Sequence, residues 1–452
     1  MIRELQLKGF KSWADTGCLQ LAPLTGFFGT NSSGKTSLLQ LLLMLKQTVE
    51  STDPKRVLHT GDDLSIVDLG TFSDLIHCHQ SESALGVSIY WDTLDTLKIK
   101  DPEKKGRNLF EINKLRFEVQ VKEEAGAPTV ICFSYSFDNN VFGMTSEAKK
   151  GNKHTYQLIS DPYVPIRQRG RPWPLPAPIK FYGFPDEVMA CFQNVGFLSE
   201  IVLELAGLFG RTAYLGPLRE YPKRIYTWAG DAPSDVGRRG ELVAAAMLAA
   251  RDKEKHVPPG GQKRMWRLER MVAYWLREMG IIDSFSLKQI AENRKDYEVR
   301  VRKTDHSPEV LITDVGFGVS QVLPVLVMCY YVPQGSVLLL EQPELHLHPL
   351  AQSWLADVFI NVVTHRNVQI VVESHSEHFL RRLQRRIAEE KIQVDKTALY
   401  FCRMQNSASV AERLDVDMFG RIRNWPADFF GDEMGELAAT TEAAMKRQAG
   451  NA

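Results

Sequence analysis

Residues Gly29 to Ser37 read GTNSSGKTS. They fit the pattern G-x-x-x-x-G-K-[ST], with Gly29, Gly34, Lys35 and Thr36 at the defining positions and Thr30, Asn31, Ser32 and Ser33 filling the loop. The spacing has a mechanical reason. Glycines let the backbone wrap inward so that amide hydrogens point at phosphates, and the following helix N-terminus adds its partial positive charge. In such a loop the lysine reaches the β- and γ-phosphates and the hydroxyl, here Thr36, ligates magnesium. Ser37 extends the cradle into the first helical turn. The context fits as well: the apolar run "CLQLAPLTGFF" precedes it as a strand, and "TSLLQLLLMLKQ" follows as a helix. The expected cofactors are therefore ATP and Mg2+.

The last third of the chain alternates short apolar strands with helices: "SVLLLEQPE", "LAQSWLADVFINVV", "VQIVVESHSE", "HFLRRLQRRIAEE" and "TALYFCRM". That pattern predicts an α/β fold with a parallel sheet covered on both faces. Glu341 closes the strand "VLLL" at the position of a Walker B acid, where it is expected to hold the magnesium through water. "DVGFGVSQVLPVL" is a glycine-rich turn feeding an apolar helix; Gly316, Gly318, Ser320 and Gln321 would form a second anion-binding device. "QIVVESHSEHF" ends a strand with Ser374 and His375, and a histidine there can sense a γ-phosphate. A glycine turn alone is usually just a turn, and a strand-end histidine just a polar rim. The order of P-loop, glycine-serine turn, Walker B and histidine is specific.

With these motifs the chain resembles ABC-type ATPases, in the branch near the OLD, RecF and SMC-head proteins. "YLGPLREYPKRIYTWAG", "VGFGVSQVLP", "EQPELHLHP" and "ESHSEHF" are further similar to AAA family ATPases of prokaryotic anti-phage systems, of the Septu and retron-associated kind. The resemblance implies an ABC-ATPase head with a mixed or parallel sheet, an antiparallel β lobe and a helical insertion. It implies a head-to-tail homodimer, or a higher oligomer, in which Gly29–Thr36 of one chain faces Gly318–Gln321 of the other across one ATP. It places "HLHP", His346 to Pro349, at a D-loop crossing the dimer interface, and Arg219 near the junction of two lobes. Arg219 either reaches the nucleotide or couples the lobes, or else forms a structural ion pair. Gln80 is a candidate for the lobe-joining glutamine.

The rest of the chain sets limits. Its 452 residues are 44% hydrophobic and 24% charged, and its 55 basic and 55 acidic residues balance, so net charge gives no argument for nucleic acid. No apolar run reaches membrane-spanning length, no signal peptide is visible, and the six scattered cysteines contain no CxxC. A cytoplasmic protein without membrane contact is expected. The expected divisions are an N-terminal ATPase lobe (1–160) with P-loop and antiparallel sheet, a Pro-rich loop (161–195) that over 161–185 is a solvated surface loop or linker, or touches phosphate through its arginines, a helical insertion (196–300), a C-terminal ATPase lobe (301–404) and a small ordered extension (405–452). Within the antiparallel region Leu115, Phe117, Val119 and Val121 fall on one face at period two. The basic helix face formed by Lys263, Arg264, Arg267 and Arg270 is solvated, or touches DNA or a partner.

Hydrolysis in most of this class uses an acid directly after the Walker B residue. Here Gln342 stands there. A glutamine can orient a water but accepts a proton very poorly, and general-base help typically contributes about 10²–10⁴-fold. Slow turnover is expected, with Glu344 as a possible substitute base. The sequence holds no nuclease cluster and no nucleophile elbow. The expected function is a slowly hydrolysing ATPase subunit that regulates an effector nuclease, of His-Asn-His or Toprim type, in anti-phage defence. The alternative is a DNA-repair or chromosome-maintenance ATPase that clamps duplex DNA.

Overall fold

The computed structural model describes residues 1–450 except 80–83, 102–106, 151–152, 170–173, 261–264, 317, 427–428 and 430–432. Gln80, Lys263 and Arg264 lie outside the described residues.

A six-stranded sheet forms the spine. Its order is Thr212–Leu215, Val337–Glu341, Gln369–Glu373, Leu24–Gly29, Thr397–Gln405 and Ala408–Arg413. The first five strands are parallel, and only Ala408–Arg413 runs antiparallel, at the edge. Successive side chains in a strand point to opposite faces, and here both faces are covered. Leu338, Leu340, Ile370, Val372 and Leu399 pack into one core with the helices Gly318–Tyr331, Pro349–His365 and Glu377–Ala388. Val337, Leu339, Val371, Ala398 and Tyr400 pack into a second core with the P-loop helix, Lys35–Glu50. This is why the strands read as unbroken apolar runs.

The second core is shared with an eight-stranded antiparallel sheet built on Ile2–Phe10 and the strands between Leu85 and Asp161. The stripe read from the sequence is its inner face: Leu115, Phe117, Val119 and Val121 are buried and stand opposite Trp91, Ile89, Val87 and Leu85. On the outer face Arg116 pairs with Glu4.

The structure adds detail to three of the expected divisions. Within residues 161–195 the first part is exposed, as at Val164, Ile166 and Arg167, but the later part is not a solvated loop. Phe181, Tyr182 and Phe184 are buried in the antiparallel lobe, Tyr135 donates its hydroxyl to the Tyr182 carbonyl at 2.9 Å, and Lys180 donates to Val49 and Ser51 carbonyls at the end of the P-loop helix, at 2.8 and 2.6 Å. Proline density forbids regular structure but not burial. Residues 196–300 contain the helices Leu198–Gly210, Val243–Asp252 and Leu268–Glu278, yet Thr212–Leu215 is the edge strand of the spine, and Ser284–Gln289 with Asp296–Arg302 belongs to a four-stranded antiparallel sheet. A four-residue strand is too short for a period to show. Finally, the region after 405 contributes Ala408–Arg413 to the spine, and Phe429 packs edge-on against Phe28 and Phe401.

If the later part of residues 161–195 belongs to the core, Phe181→Ala should lower unfolding free energy by about 3–5 kcal/mol, measured by urea denaturation. A solvated loop would lose under about 0.5 kcal/mol.

Candidate functional site

The strand Leu24–Gly29 ends where the backbone must turn sharply. Gly29 has φ +133°, and a Cβ there would strike the carbonyl of Cys402 on the neighbouring strand. Gly34 caps the helix at φ +85°; a side chain there would run into Ser12, Trp13 and Ser409. Only glycine fits either position. The indole of Trp13 donates to the Gly34 carbonyl at 3.0 Å, and the Ser409 hydroxyl donates to that of Ser12 at 2.7 Å. The loop is thus braced from outside by both ends of the chain.

Inside the loop, the buried Lys35 ammonium donates to the carbonyls of Gly29 and Thr30 at 3.1 and 2.6 Å and to Ser33 Oγ at 3.3 Å. Burial holds its pKa below the ordinary lysine value, with Glu373 pulling the other way. The loop encloses a cleft of about 290 Å³ lined by Lys11, Ser12, residues Asn31 to Ser37, Gln342, Glu373 and His375. An amide-rich loop at the start of a 16-residue helix, with a lysine inside it, is built for a polyphosphate.

Gln342 lines the cleft, and its left-handed backbone (φ 44°) ends the strand, while its amide nitrogen donates to the Glu373 carbonyl at 2.9 Å. His375 lines the cleft and is half-buried; burial, then the Lys35 charge, lowers its pKa, so the imidazole is held neutral. Glu341 is not a lining residue. Its carboxyl accepts a hydrogen bond from the Tyr214 hydroxyl at 2.7 Å, and burial raises its pKa against Tyr214 and Arg219. Glu344 is buried away from the cleft, where Oε1 accepts from the His375 amide at 2.7 Å; burial raises its pKa too. It anchors the strand end that carries the histidine.

Gly316, Gly318, Ser320 and Gln321 do not line this cleft. Gly316 is exposed and Gly318 half-buried, with open space where a Cβ would stand on each. Ser320 and Gln321 are buried, so the glycine backbone is what this turn presents. Arg219 is also buried, donates to the Gly216 carbonyl, and feels Tyr214, Glu344 and Glu341; burial lowers its pKa to about 10. His348 caps its helix by accepting from the Leu350 amide at 3.3 Å, and His346 is exposed with φ 61°.

One central residue was missed. Glu373 ends the strand Gln369–Glu373, lines the cleft, and accepts from the Thr36 hydroxyl at 3.0 Å. Burial raises its pKa to about 7, and the neighbouring Glu341 charge adds to the shift. The signal was present: "VVE" ends as "LLE" does, and two parallel strands with acids at the same end invite comparison.

Residues 274–380 match a family described as AAA ATPase domain. Residues 392–439 match one described as Protein of unknown function (DUF3696). No curated protein matches. Among solved structures the chain is similar to an SMC head bound to the C-winged helix domain of ScpA, at 13% identity over 92% of this chain and 98% of that one, with a TM-score of 0.44. It is similar to the SMC head domain from Thermotoga maritima, at 10% identity, 92% and 99% coverage and a TM-score of 0.39. A third is the Smc head with an extended coiled coil bound to the C-terminal domain of ScpA derived from Pyrococcus furiosus, at 12% identity, 92% and 96% coverage and a TM-score of 0.42. The AAA ATPase match spans the glycine turn, Glu341, Gln342 and His375, the half of the motif set that the P-loop lacks on its own.

Glu373 binds its proton more tightly in the folded chain than in the unfolded one, so the folded state gains stability on protonation. In nucleotide-free, metal-free protein, stability should fall as pH rises from about 4.5 to about 7, by ~3 kcal/mol from this group. Melting temperature against pH should show this slope, and Glu373→Gln should flatten it.

Proposed function

We propose that the chain is an ATP-binding ABC-type ATPase that hydrolyses ATP slowly and acts as a regulatory switch. What carries the reading is the cleft itself, in which a glycine loop with Lys35 and Thr36 meets Gln342, Glu373 and His375 from two neighbouring strand ends. The family match over 274–380 supports it independently, because that match does not include the loop. Asn31 to Thr36 cradle the phosphates, Lys35 leaves its carbonyl partners for them, and Thr36 with the nearby carboxylates holds Mg2+. An oxygen-only set of this kind suits that hard cation. Gln342 orients the attacking water, and neutral His375 faces the γ-phosphate.

Pairing is the second part of the reading. Gly316 and Gly318 lie outside their own chain's cleft with open space where a Cβ would stand on each, and Gly318 opens the 14-residue helix Gly318–Tyr331, whose N-terminal dipole end favours an anion. A head-to-tail homodimer puts this end against the partner's ATP, so ATP joins the two heads. The wider role in this reading is control of a partner effector, a nuclease of His-Asn-His or Toprim type, in a cytoplasmic anti-phage system. The motifs of the resemblance support that role. Clamping of duplex DNA is the competing role, and no helix among the described residues is long and apolar enough to cross a membrane.

Steady-state hydrolysis should be slow in the wild type and rise about tenfold or more in Gln342→Glu. A fast wild-type rate, kept in Gln342→Ala and lost in Glu344→Gln, would transfer the role to Glu344. Strong stimulation by duplex DNA, with no co-purifying protein, would favour the clamp. Gly318→Asp, which sets a negative charge in open space at the turn, should abolish ATP-dependent dimerisation by light scattering while leaving the monomer's melting temperature unchanged.

A further inference from the structure

The strands Val337–Glu341 and Gln369–Glu373 are parallel neighbours in register, with Glu341 paired to Glu373. Two acids therefore stand side by side at the C-terminal edge of the spine, next to the strand that delivers the P-loop. Their surroundings differ. Glu341 is drawn back onto the Tyr214 hydroxyl and does not line the cleft. Glu373 does line it: Oε1 accepts from the Thr36 hydroxyl at 3.0 Å, and Oε2 is buried with no hydrogen bond of ordinary geometry among the described residues, the Gln342 side chain being close enough only to act as the weakest influence on the carboxyl's pKa. A buried carboxylate oxygen without a partner is costly, and in a polyphosphate cleft beside a P-loop threonine the group that relieves it is a cation.

We propose that Glu373, rather than the Walker B residue Glu341, is the acid that meets the nucleotide-bound magnesium ion, together with Thr36. This rests on the ATP-binding reading. Magnesium supplies charge neutralisation of the phosphates when bound. The chain's part is to hold a hydroxyl and a carboxylate ready within hydrogen-bond distance of each other. Glu341, held by Tyr214 and near Arg219, becomes a positioning residue that keeps the two strand ends in place.

The test compares binding of a fluorescent ATP analogue to the full chain in EDTA and in Mn2+. Wild type should bind more tightly in Mn2+. Glu373→Gln should lose about tenfold or more of the wild-type gain in affinity from EDTA to Mn2+, read as the ratio of the two affinities within each variant. Glu373→Asp, which keeps the carboxylate, should recover part of the loss and covers the case in which the glutamine variant does not fold. Metal-dependent affinity unchanged in Glu373→Gln but lost in Glu341→Gln would overturn the proposal. So would unchanged Mn2+ affinity with hydrolysis alone abolished, which would make Glu373 a proton acceptor instead. A wild type that binds no nucleotide in either buffer would instead sink the ATP reading, and the assignment of Glu373 with it.

Discussion

The structure depends on five parallel strands that end at the same edge. Parallel pairing with both faces buried leaves only the strand ends for chemistry, and here three neighbouring strands end in Gly29, Glu373 and Glu341. The register between them is set by apolar side chains that alternate between two cores. A one-residue slip would reverse every one of them. Packing energy deep in the sheet thereby fixes the distance between the P-loop threonine and an acid some 340 residues away in the chain, a separation the Thr36–Glu373 hydrogen bond spans.

Bracing of the loop follows the same logic. Ser12 and Trp13, from the start of the chain, and Ser409, from the last strand of the spine, close around Gly34. The Ser409 amide also donates to the Ser12 carbonyl at 2.7 Å. The β lobe and the C-terminal hairpin therefore support the nucleotide loop and are not appendages to it. Lys180 adds a brace at the other end of the P-loop helix.

Legibility in the sequence varied with the physics. The P-loop was readable because its constraints are local: two glycines, a lysine and a hydroxyl at fixed offsets. The buried strands and the Leu115–Val121 stripe were readable from period and composition. Contacts set by the tertiary fold were not. Nothing local announces that Tyr214 will reach Glu341, that the later part of residues 161–195 will pack against the β lobe, or that Glu344 will turn inward to hold the His375 amide. Glu373 lay between. Its strand is legible as an apolar run, but its partner, Thr36, is fixed only by strand order.

The glutamine at position 342 finds a physical reason in that neighbourhood. Two buried carboxylates already stand in register, and Glu373 is pushed up to about 7 by burial and by Glu341. A third acid at 342 would sit against the same pair, which already shares the single Lys35 charge acting on Glu373, and like charges at short range raise one another's pKa further. An amide brings no charge and can donate toward Glu373, whose pKa it lowers. The left-handed backbone of Gln342 turns the side chain into the cleft, so that contact comes with the end of the strand. In the proposed ATPase reading, glutamine gives up the proton acceptor that makes hydrolysis fast, and in return leaves a cleft that tolerates being empty. That exchange suits a chain whose bound state has to persist, and is poorly suited to one that must cycle quickly.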